Sequence, residues 1–515
     1  MVASSAARLA LAACVLGVAH AAPTVAPARA QPRLRALVVI VDGLRPDLIT
    51  TTRTPHLAAF GARGVVGGAH HAIVPTVTRV NASALVTGAG PSRHGILDNT
   101  IFLPAVDSAR VLDTGNGAVM ERADSILEHR LLTVPTLPDL LAARGLRMAV
   151  ASSGSSGSAF LLAGAGRAPL VNTTMVRPRA LETVVTQRLG PYEALEGAPN
   201  LVANARAVDA LLRVVIDSLD PDVAMLWLSD PDHTAHRAGL GSMLADSAMR
   251  AVDREVGRVV AGLAGRGLDA QTTVFIVSDH GFSTQAGREA PLRQVLAPFR
   301  SSIVEAGGAV YLRSGHEQVL DSIVQTLQAS PAVGAVFTHG ARPGDLVGRS
   351  PGTLSFAAAD WAHARAGDVL VSANWSHERN AADIPGWTAL AGVAGHGTTS
   401  PYDIRATLLV AGPGIRRGDT SAVPTANSDI APTILSLLGG RPAPSMSGRV
   451  LDELFRNRAP VAATRVRRDS AVASTTLPSG MRYRVTLHAS TIGRTRYVDS
   501  TVVRRDSAAM LRPAH

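Results

Sequence analysis

Runs of apolar residues that stop abruptly at acidic residues recur along the chain. Residues 36–41 are continuously apolar and end at Asp42, and residues 223–228 end shortly before Asp232. Residues 273–277 end just before Asp279. Such runs are typical of parallel strands buried on both faces. Further strands are predicted at 147–152 and 405–411.

Predicted helices alternate with these strands, at 137–144, 204–219, 243–266 and 429–438. Alternating strands and helices favour an α/β fold with a mostly parallel central sheet and helices on both faces. In such folds the functional site lies at the carboxyl ends of the strands. The polar residues that follow the apolar runs are therefore the first candidates for a site.

Two regions depart from this alternation. Residues 284–390 are punctuated by glycine and proline and combine a predicted helix at 317–329 with short strands. We interpret this region as an inserted cap that folds over the site. Period-2 patterns at 482–488 and 496–504 predict a small β appendage over 456–515. The main domain then spans residues 36–455.

Composition excludes several classes of protein. The chain has 515 residues and a net charge of +10, and its basic residues are all arginine. The absence of lysine excludes Schiff-base enzymes and lysine-bearing P-loops. Residues 456–515 carry 12 Arg against three Asp, whereas the main domain is nearly neutral. No nucleic-acid binding is expected, because the basic surface would have to lie on the working domain. We interpret the basic appendage as a solvated strand surface in preference to a contact with an anionic surface.

The N-terminal segment indicates export. Residues 1–21 combine the basic Arg8, a short apolar run and the small residues of Ala19-His20-Ala21, as in a secretory signal. A second candidate cleavage site is 28–30. Cys14 lies in a loose lipoprotein-like box, but the preceding apolar run is short for lipidation. As Cys14 is the only cysteine, disulfides and cysteine-ligated metals are excluded. No other stretch reaches the ~18 apolar residues of a membrane span, so a periplasmic or extracellular protein is expected.

Acidic residues and histidines form four groups along the chain. The first is Asp42, and the second pairs Asp232 with His236. Asp279 and His280 are adjacent, and His396 lies between two glycines. Each group alone has an ordinary structural explanation as a helix cap or a core histidine. Together they offer three carboxylates and three imidazoles, which suit zinc or a similar divalent ion. That is enough for two ions, the number that clamps the attacking and leaving oxygens in phosphoryl transfer.

Thr78 is a candidate nucleophile. It lies where the segment 74–81 runs into a predicted helix. A hydroxyl at a helix start is close to exposed backbone N–H groups, where anions bind. Thr78 could equally be the N-cap of that helix. A nearby metal would lower the pKa of the hydroxyl and activate it.

The order and spacing of six motifs resemble the alkaline phosphatase superfamily, and within it the nucleotide pyrophosphatase/phosphodiesterase (type I phosphodiesterase) family. The resemblance covers about residues 36–455. The motifs are VDGLRPD (41–47), PTVTRVN (75–81), TGAGPSRHGILDN (87–99), PDHTAH (231–236), SDHG (278–281) and GHGT (395–398).

This resemblance implies a role for each motif residue. Thr78 looks like the nucleophile, and Asn99 looks like the residue that hydrogen-bonds a non-bridging phosphoryl oxygen. Two divalent ions, with Zn²⁺ the expected metal, would be held by two ligand sets: Asp42, Thr78, Asp279 and His280 for one, and Asp232, His236 and His396 for the other. The implied reaction on a small-molecule phosphate ester is a double displacement through a phospho-threonine.

Three departures from the family pattern concern the substrate. Arg79 follows the nucleophile where nucleotide-cleaving members typically have Phe, which favours a more anionic or smaller substrate unless Arg79 is only a solvated charge. Trp227 falls where those enzymes have Tyr, and is either an aromatic wall of the site or a core residue. Threonine monoesterases of this fold resemble one another in a Lys-x-Arg pair, whereas the corresponding stretch here, 151–160, is neutral. This favours diesters.

A secreted phosphodiesterase or pyrophosphatase is therefore the leading hypothesis. A phosphomonoesterase of the same fold is the nearest alternative. Sulfatases of the superfamily need Cys or Ser at the nucleophile position, which Thr78 does not provide. A non-catalytic binding protein on a hydrolase scaffold is the alternative from another class, and it would not need to retain stoichiometric metal after dialysis.

Overall fold

The computed structural model describes Met1 and residues 33–191, 197–287, 291–459 and 461–506. The chain divides into two units, Met1–Arg33 and Leu34–His515. Residues 2–21 of the predicted signal, with Cys14, lie outside the described residues. The second unit contains all the elements considered below.

Among the described residues, nine strands form the central sheet. In spatial order they are Asp419–Ser421, Val65–Gly67, Leu408–Ala411, Thr272–Val277, Arg35–Val41, Val223–Leu228, Met148–Ser152, Leu170–Asn172 and Val176–Arg177. The strands from Thr272–Val277 to Leu170–Asn172 run parallel. Antiparallel pairings with Leu408–Ala411 and Val176–Arg177 flank this parallel block. The predicted α/β fold with a mostly parallel sheet is confirmed.

Both faces of this sheet are covered by helices. Val38 and Ile40 of the first strand enter one hydrophobic core, and Leu37 and Val39 enter the other. The first core includes helices Thr78–Thr87, Gly117–Ile126, Leu137–Ala142, Ser156–Leu162 and Ile430–Leu437. The second includes Pro55–Ala62, Leu181–Leu189, Leu201–Asp209, Met243–Ala264 and the π-helix Ala210–Leu219. Because each buried aliphatic side chain contributes about 1.5–3 kcal/mol, the two layers hold the strand ends firmly in place.

Two predicted elements differ from the structure in kind. The helix expected at 204–219 is an α-helix, Leu201–Asp209, that continues as the π-helix Ala210–Leu219. The strand expected at 405–411 is divided between two sheets. Arg405–Ala406 pairs with His70–His71, whereas Leu408–Ala411 joins the central sheet. The one residue between the two strands is Thr407, and a single threonine in such a run does not predict a change of strand partner.

Shorter elements complete the main domain. The small sheet around His70–His71 also contains Thr425–Ala426, and Thr100–Ile101 pairs with Leu112–Asp113. The short helices are Pro91–His94, Asp232–Ala238, Pro291–Val295 and Pro401–Ile404. Within the described ranges, no helix combines the length and apolar character needed to span a membrane.

The region predicted as an insertion contains two further sheets. One joins Ile303–Ala306, Ala309–Leu312, Val369–Ala373, Val333–Thr338 and Leu354–Ser355, and packs with helix Leu320–Ala329 around its own core. The other joins Trp375–Arg379, Pro385–Ala391, Ser283–Gly287 and Ala394–Gly395. The last two strands directly follow Phe282 and precede His396, so this second sheet is continuous in sequence with the candidate site.

The C-terminal residues form an antiparallel sheet of Arg467–Thr476, Arg482–Ile492 and Thr495–Asp506. Its inner face buries Tyr483, Val485 and Leu487 in the same core as one face of the central sheet. The Tyr483 hydroxyl donates to the Gly334 carbonyl at 2.8 Å. The sheet is therefore packed onto the main domain rather than being a separate body.

Candidate metal and phosphoryl-transfer site

Three neighbouring parallel strands bring three carboxylates together. Asp42, Asp232 and Asp279 follow strands Arg35–Val41, Val223–Leu228 and Thr272–Val277, which pair in register. The Asp232 N–H donates to the Asp42 carbonyl at 3.2 Å. Like charges this close are destabilising without a cation between them.

Asp42, Asp279 and His280 form one group that could hold a metal ion, with one ligand atom of each within 4.8 Å of the others. His280 Nε2 lies 3.0 Å from Asp279 Oδ2 and 3.5 Å from Asp42 Oδ1. Gly43 turns the chain away after Asp42 with a φ of +69°, and its N–H donates to Asp279 Oδ1 at 3.1 Å. A Cβ at this position would lie 3.0 Å from the Asp232 Cβ. Glycine therefore allows the strand ends to approach this closely.

Asp232, His280 and His396 form a second group whose ligand atoms lie within 4.8 Å of one another, and His236 lies beside it. Helix Asp232–Ala238 places Asp232 and His236 one turn apart, and His236 Nε2 lies 3.3 Å from Asp232 Oδ1. His396 Nε2 approaches the same oxygen at 3.3 Å. The helix is held at its start by Asp230, whose Oδ1 accepts from the Thr234 N–H and hydroxyl.

The three imidazoles are oriented as metal ligands are. Nδ1 of each ring faces a backbone carbonyl: Gly281 for His280 at 2.9 Å, Ala394 for His236 at 2.9 Å and Thr76 for His396 at 2.8 Å. A neutral ring that donates from Nδ1 directs the lone pair of Nε2 at the carboxylates. That contact is repulsive unless a proton or a cation lies between. The orientation therefore fits a cation held jointly by the imidazoles and carboxylates.

Burial and ionisation agree with this fit. Asp42 Oδ1, Asp232 Oδ1 and Asp279 Oδ2 are buried and have no hydrogen-bond partner among the described residues. Burial, and then the Asp232 and Asp279 charges, raise the pKa of Asp42 well above its usual range. Burial alone would lower the pKa of His280, but Asp279 raises it to about 8. Burial and the neighbouring His280 lower the pKa of His396 to about 4. The donor set of carboxylates and imidazoles suits a divalent ion such as Zn²⁺.

Thr78 is the first residue of helix Thr78–Thr87 and lies beside the first group. The N-cap is Val77, in extended conformation, so Thr78 is not the N-cap that the sequence left open. Its Oγ1 lies 3.3 Å from His280 Nε2, and the residue is 6% exposed. The hydroxyl is therefore directed at the candidate ligands rather than at its own helix.

Asn99 and Arg79 lie next to each other. The Arg79 N–H donates to Asn99 Oδ1 at 3.1 Å, while the Asn99 carbonyl accepts from the Thr114 hydroxyl at 2.6 Å. The Asn99 amide nitrogen has no acceptor in the described part of the chain, so it remains available as a donor. The Arg79 guanidinium lies against Gly115, because a Cβ on Gly115 would come within 2.3 Å of Arg79 Nη2. The Nε atom of Arg79 is buried and has no hydrogen-bond partner among the described residues. The Gly115 carbonyl accepts from the Gly157 N–H, which places the neutral stretch 151–160 beside Arg79.

Trp227 does not form an exposed aromatic wall. Its side chain is fully buried in the core, and its Nε1–H donates to Asp42 Oδ2 at 3.0 Å. A ring without an exposed face cannot stack on a substrate. Of the two interpretations that the sequence allowed, core packing describes Trp227, with the added role of orienting Asp42.

Sequence reasoning missed two residues that join parts of the site. Asn427 donates to the Asp279 carbonyl at 2.7 Å and to Asn81 Oδ1 at 2.9 Å, and so connects a candidate ligand to the helix of Thr78. The Thr76 hydroxyl donates to the Thr398 carbonyl, and its carbonyl accepts from His396. Thr76 could have been noticed within the motif 75–81. Asn427 carries no sequence signal, because its partners come together only in the folded chain.

The type I phosphodiesterase / nucleotide pyrophosphatase family model matches residues 36–382. Venom phosphodiesterase of Macrovipera lebetinus is 24% identical over 247 residues, which cover 47% of this chain and 25% of that protein. The 2,3-bisphosphoglycerate-independent phosphoglycerate mutase of Halobacterium salinarum is 35% identical over 89 residues, or 17% of this chain and 16% of that protein. The chain thus spans a quarter or less of the length of these relatives.

Solved structures share the fold. Murine ectonucleotide pyrophosphatase/phosphodiesterase 5 superposes with a TM-score of 0.55 at 18% identity, covering 80% of this chain and 96% of that one. A mutant of the alkaline phosphatase PafA superposes with a TM-score of 0.60 at 17% identity, covering 82% and 99%. At such identities these likenesses establish an alkaline-phosphatase-like fold.

Proposed function

Because the chain belongs to the type I phosphodiesterase / nucleotide pyrophosphatase family, we propose that it is a metal-dependent hydrolase that cleaves phosphodiester or pyrophosphate bonds with Thr78 as nucleophile. The observation that carries the proposal is the position of the Thr78 hydroxyl, 3.3 Å from His280 Nε2 and beside the buried carboxylates. A structural threonine at a helix start would instead cap its own helix.

Two divalent ions would be held by the two groups around Asp42 and Asp232, with Zn²⁺ the expected metal. When bound, such ions supply Lewis-acid chemistry, lowering the pKa of the nucleophile and offsetting the charge of the phosphoryl oxygens. Asp42, Asp279 and His280, with Thr78, would form one site. Asp232, His236 and His396 would form the other.

The residues of the chain account for the two displacements at phosphorus. Thr78 Oγ1 gives its proton to solvent and attacks phosphorus. The bond to the leaving oxygen breaks as the bond to Oγ1 forms, and the leaving oxygen takes up a proton from solvent. The Asn99 amide donates to a non-bridging oxygen while its own oxygen is held by the Arg79 N–H. Water then attacks the phospho-threonine: its oxygen bonds to phosphorus as the bond to Oγ1 breaks, and its proton restores the Thr78 hydroxyl. The start of helix Thr78–Thr87 contributes a favourable field for the anion throughout.

A phosphomonoesterase of the same fold is the second candidate, and Arg79 is the observation that favours it. The Nε atom of Arg79 has no hydrogen-bond partner among the described residues, and Arg79 directly follows Thr78 in the sequence. A phosphate monoester carries about two negative charges near neutral pH and a diester carries one. A guanidinium in this place could neutralise the additional charge.

A substrate panel on the zinc-loaded protein separates these functions. Its members are p-nitrophenyl phosphate, bis-p-nitrophenyl phosphate and the p-nitrophenyl ester of thymidine monophosphate. The proposal predicts the higher kcat/KM for the two diesters, and a higher value for the nucleotide ester would indicate a base-binding site. Preference for the monoester would favour the second candidate. A protein that turns over none of them and retains no metal after dialysis would be a binding protein.

Export is part of the proposal and is supported by the sequence pattern of residues 1–21. The test is fractionation of cells that express the full chain or a chain lacking residues 2–21. Export predicts that only the full chain appears outside the cytoplasm with a shortened N-terminus. Equal retention of both chains in the cytoplasm would contradict it.

A further inference from the structure

The last strand of the C-terminal sheet contacts three different loops of the main domain. The contacts come from alternate residues of Thr495–Asp506, namely Tyr497, Asp499 and Thr501. Each contacted loop leads to a residue of the candidate site. Nothing in the proposed chemistry requires such a sheet, so its contacts need their own explanation.

Thr501 contacts the loop that carries His396. Its N–H donates to the Thr399 carbonyl at 3.2 Å, and the two hydroxyls are 2.5 Å apart. Thr399 lies three residues after His396. The loop is bonded on its other side to Thr76, which accepts from His396 Nδ1 at 2.8 Å. The orientation of the His396 ring therefore depends on a loop held between the nucleophile segment and the C-terminal strand.

Asp499 contacts the segment that leads to Thr78. Its Oδ1 lies 2.9 Å from His71 Nε2, while His71 Nδ1 lies 2.9 Å from the Thr425 carbonyl. Both ring nitrogens of His71 therefore face acceptors. The contact between Asp499 and His71 is partly buried, and the Tyr497 ring stacks on His71 with centroids 5.6 Å apart. This pair fixes the start of the segment that ends at the nucleophile.

Tyr497 contacts Asp429, in the short turn Asn427–Asp429 that adjoins Asp279. Its hydroxyl donates to Asp429 Oδ2 at 3.0 Å and accepts from Arg449 Nε at 2.9 Å. Asp429 lies two residues after Asn427, which donates to the Asp279 carbonyl. The third contact therefore supports the strand end of a candidate ligand.

A β-bulge lies between Tyr497 and Thr501, so these two residues, which pair with Ser490 and Leu487, face opposite sides of the sheet. Val498 pairs with Ala489 and Ser500 pairs with His488, so Asp499 is not paired in the ladder, although its Oδ2 accepts from the Ser490 hydroxyl at 2.8 Å. A bulge inserts an unpaired residue and changes the direction of its side chain. Asp499 thus reaches His71 while Tyr497 and Thr501 keep their own contacts.

We propose that the C-terminal strand is a positioning element of the site, with Thr501 acting on the His396 loop and Asp499 on the nucleophile segment. The positioning role rests on the proposed function only because that function treats His396 and its neighbours as metal ligands. The strand then contributes to metal affinity and to the reactivity of Thr78 without touching either substrate or metal. A sheet that served only stability would leave both properties unchanged in the folded protein.

Thr501→Val tests the first contact, because it keeps the side-chain shape and removes the hydroxyl. Thr486→Val is the matched control on the opposite face of the same sheet, where Thr486 pairs with Val472 and Val502. We expect Thr501→Val to weaken Zn²⁺ binding by about three- to tenfold in competition with a chelator. Amide exchange in residues 396–399 of the metal-free protein should accelerate. Thr501→Ser should restore both properties, and Thr486→Val should change neither.

Asp499→Asn tests the second contact. It removes the charge opposite His71, and we expect kcat to fall while Zn²⁺ affinity and KM stay near wild-type values. If Thr501→Val does not fold, Thr399→Val removes the same contact from the other side, together with the 2.9 Å contact between the Thr399 and Ser372 hydroxyls. The proposal is overturned if Thr501→Val, or Thr399→Val in its place, and Asp499→Asn only lower the melting temperature and match Thr486→Val in metal affinity, amide exchange and kcat. Metal affinity and amide exchange need no substrate, so they test the strand even if the proposed reaction is wrong.

Discussion

The ring of His280 stacks on the ring of His396 with centroids 3.4 Å apart and planes inclined by 14°. His280 follows strand Thr272–Val277 and His396 follows Ala394–Gly395, and both could bind one ion together with Asp232. His280 therefore belongs to both candidate ligand groups, and its ring lies directly against that of His396. Because residues in contact do not act additively, loss of one ligand group should also weaken the other.

Replacing Thr78 with Ala should abolish turnover while the fold and most metal binding remain. We expect kcat to fall by about 10³-fold or more, since the covalent route is lost. Thr78→Ser keeps the hydroxyl and should retain measurable activity. Steady-state kinetics on the metal-loaded proteins provide the comparison. Near-wild-type activity in metal-loaded Thr78→Ala would exclude Thr78 as the nucleophile.

Chelation should inactivate the protein reversibly, and roughly two divalent ions per chain should restore activity. His396→Ala and Asp279→Asn should each weaken metal binding by at least about tenfold. The loss should appear first at the group around Asp232 for His396→Ala, and at the group around Asp42 for Asp279→Asn. Metal analysis after dialysis, alongside activity, measures this. A fully active chain that holds a single ion would refute the two-metal arrangement.

Metal affinity should depend on pH through His280. Its pKa is raised to about 8 in the folded protein, above the usual 6.5. In the metal-free protein the proton on His280 stabilises the fold fully below pH 6.5, and this contribution is lost as pH rises through about 8. A metal must displace that proton, so its apparent affinity should rise by about tenfold per pH unit up to about pH 8. Chelator competition and thermal unfolding across this range test both trends, and flat profiles would contradict them.

Diesters should have the higher kcat/KM when leaving groups are matched. The stretch 151–160 beside Arg79 carries no charge. A missing charge-assisted hydrogen bond costs a dianion about 1.5–3 kcal/mol, or roughly one to two orders of magnitude in rate. Arg79→Ala tests whether the guanidinium replaces that bond, with the exposed Arg482→Ala as control. A wild-type preference for monoesters that Arg79→Ala removes would show that Arg79 supplies the charge.

Much of this architecture could be predicted from the sequence, because the signals are local. The apolar run before Asp42 and the acidic residue after it identify both a buried strand and the end at which a site lies. The spacing of Asp232 and His236 likewise places both on one helical turn. The order of the motifs was enough to indicate the family.

The remainder depends on contacts between distant segments. The sequence around Trp227 does not show whether its side chain faces the substrate or the core. A strand that is buried on both faces has no polar positions that would distinguish one face from the other. The run at 405–411 changes sheets at Thr407, and a single polar residue does not predict that change. The contacts of Thr501 and Asp499 join residues more than 100 positions apart, and no periodicity in the C-terminal strands indicates them.

The stereochemical course at phosphorus tests the central claim most directly. The substrate is a chiral phosphorothioate diester hydrolysed in ¹⁸O-labelled water by the metal-loaded wild-type protein. Each in-line displacement inverts phosphorus, so attack by Thr78 followed by attack of water predicts net retention of configuration. Net inversion would mean that water attacks the substrate directly, and would contradict a phospho-threonine on Thr78.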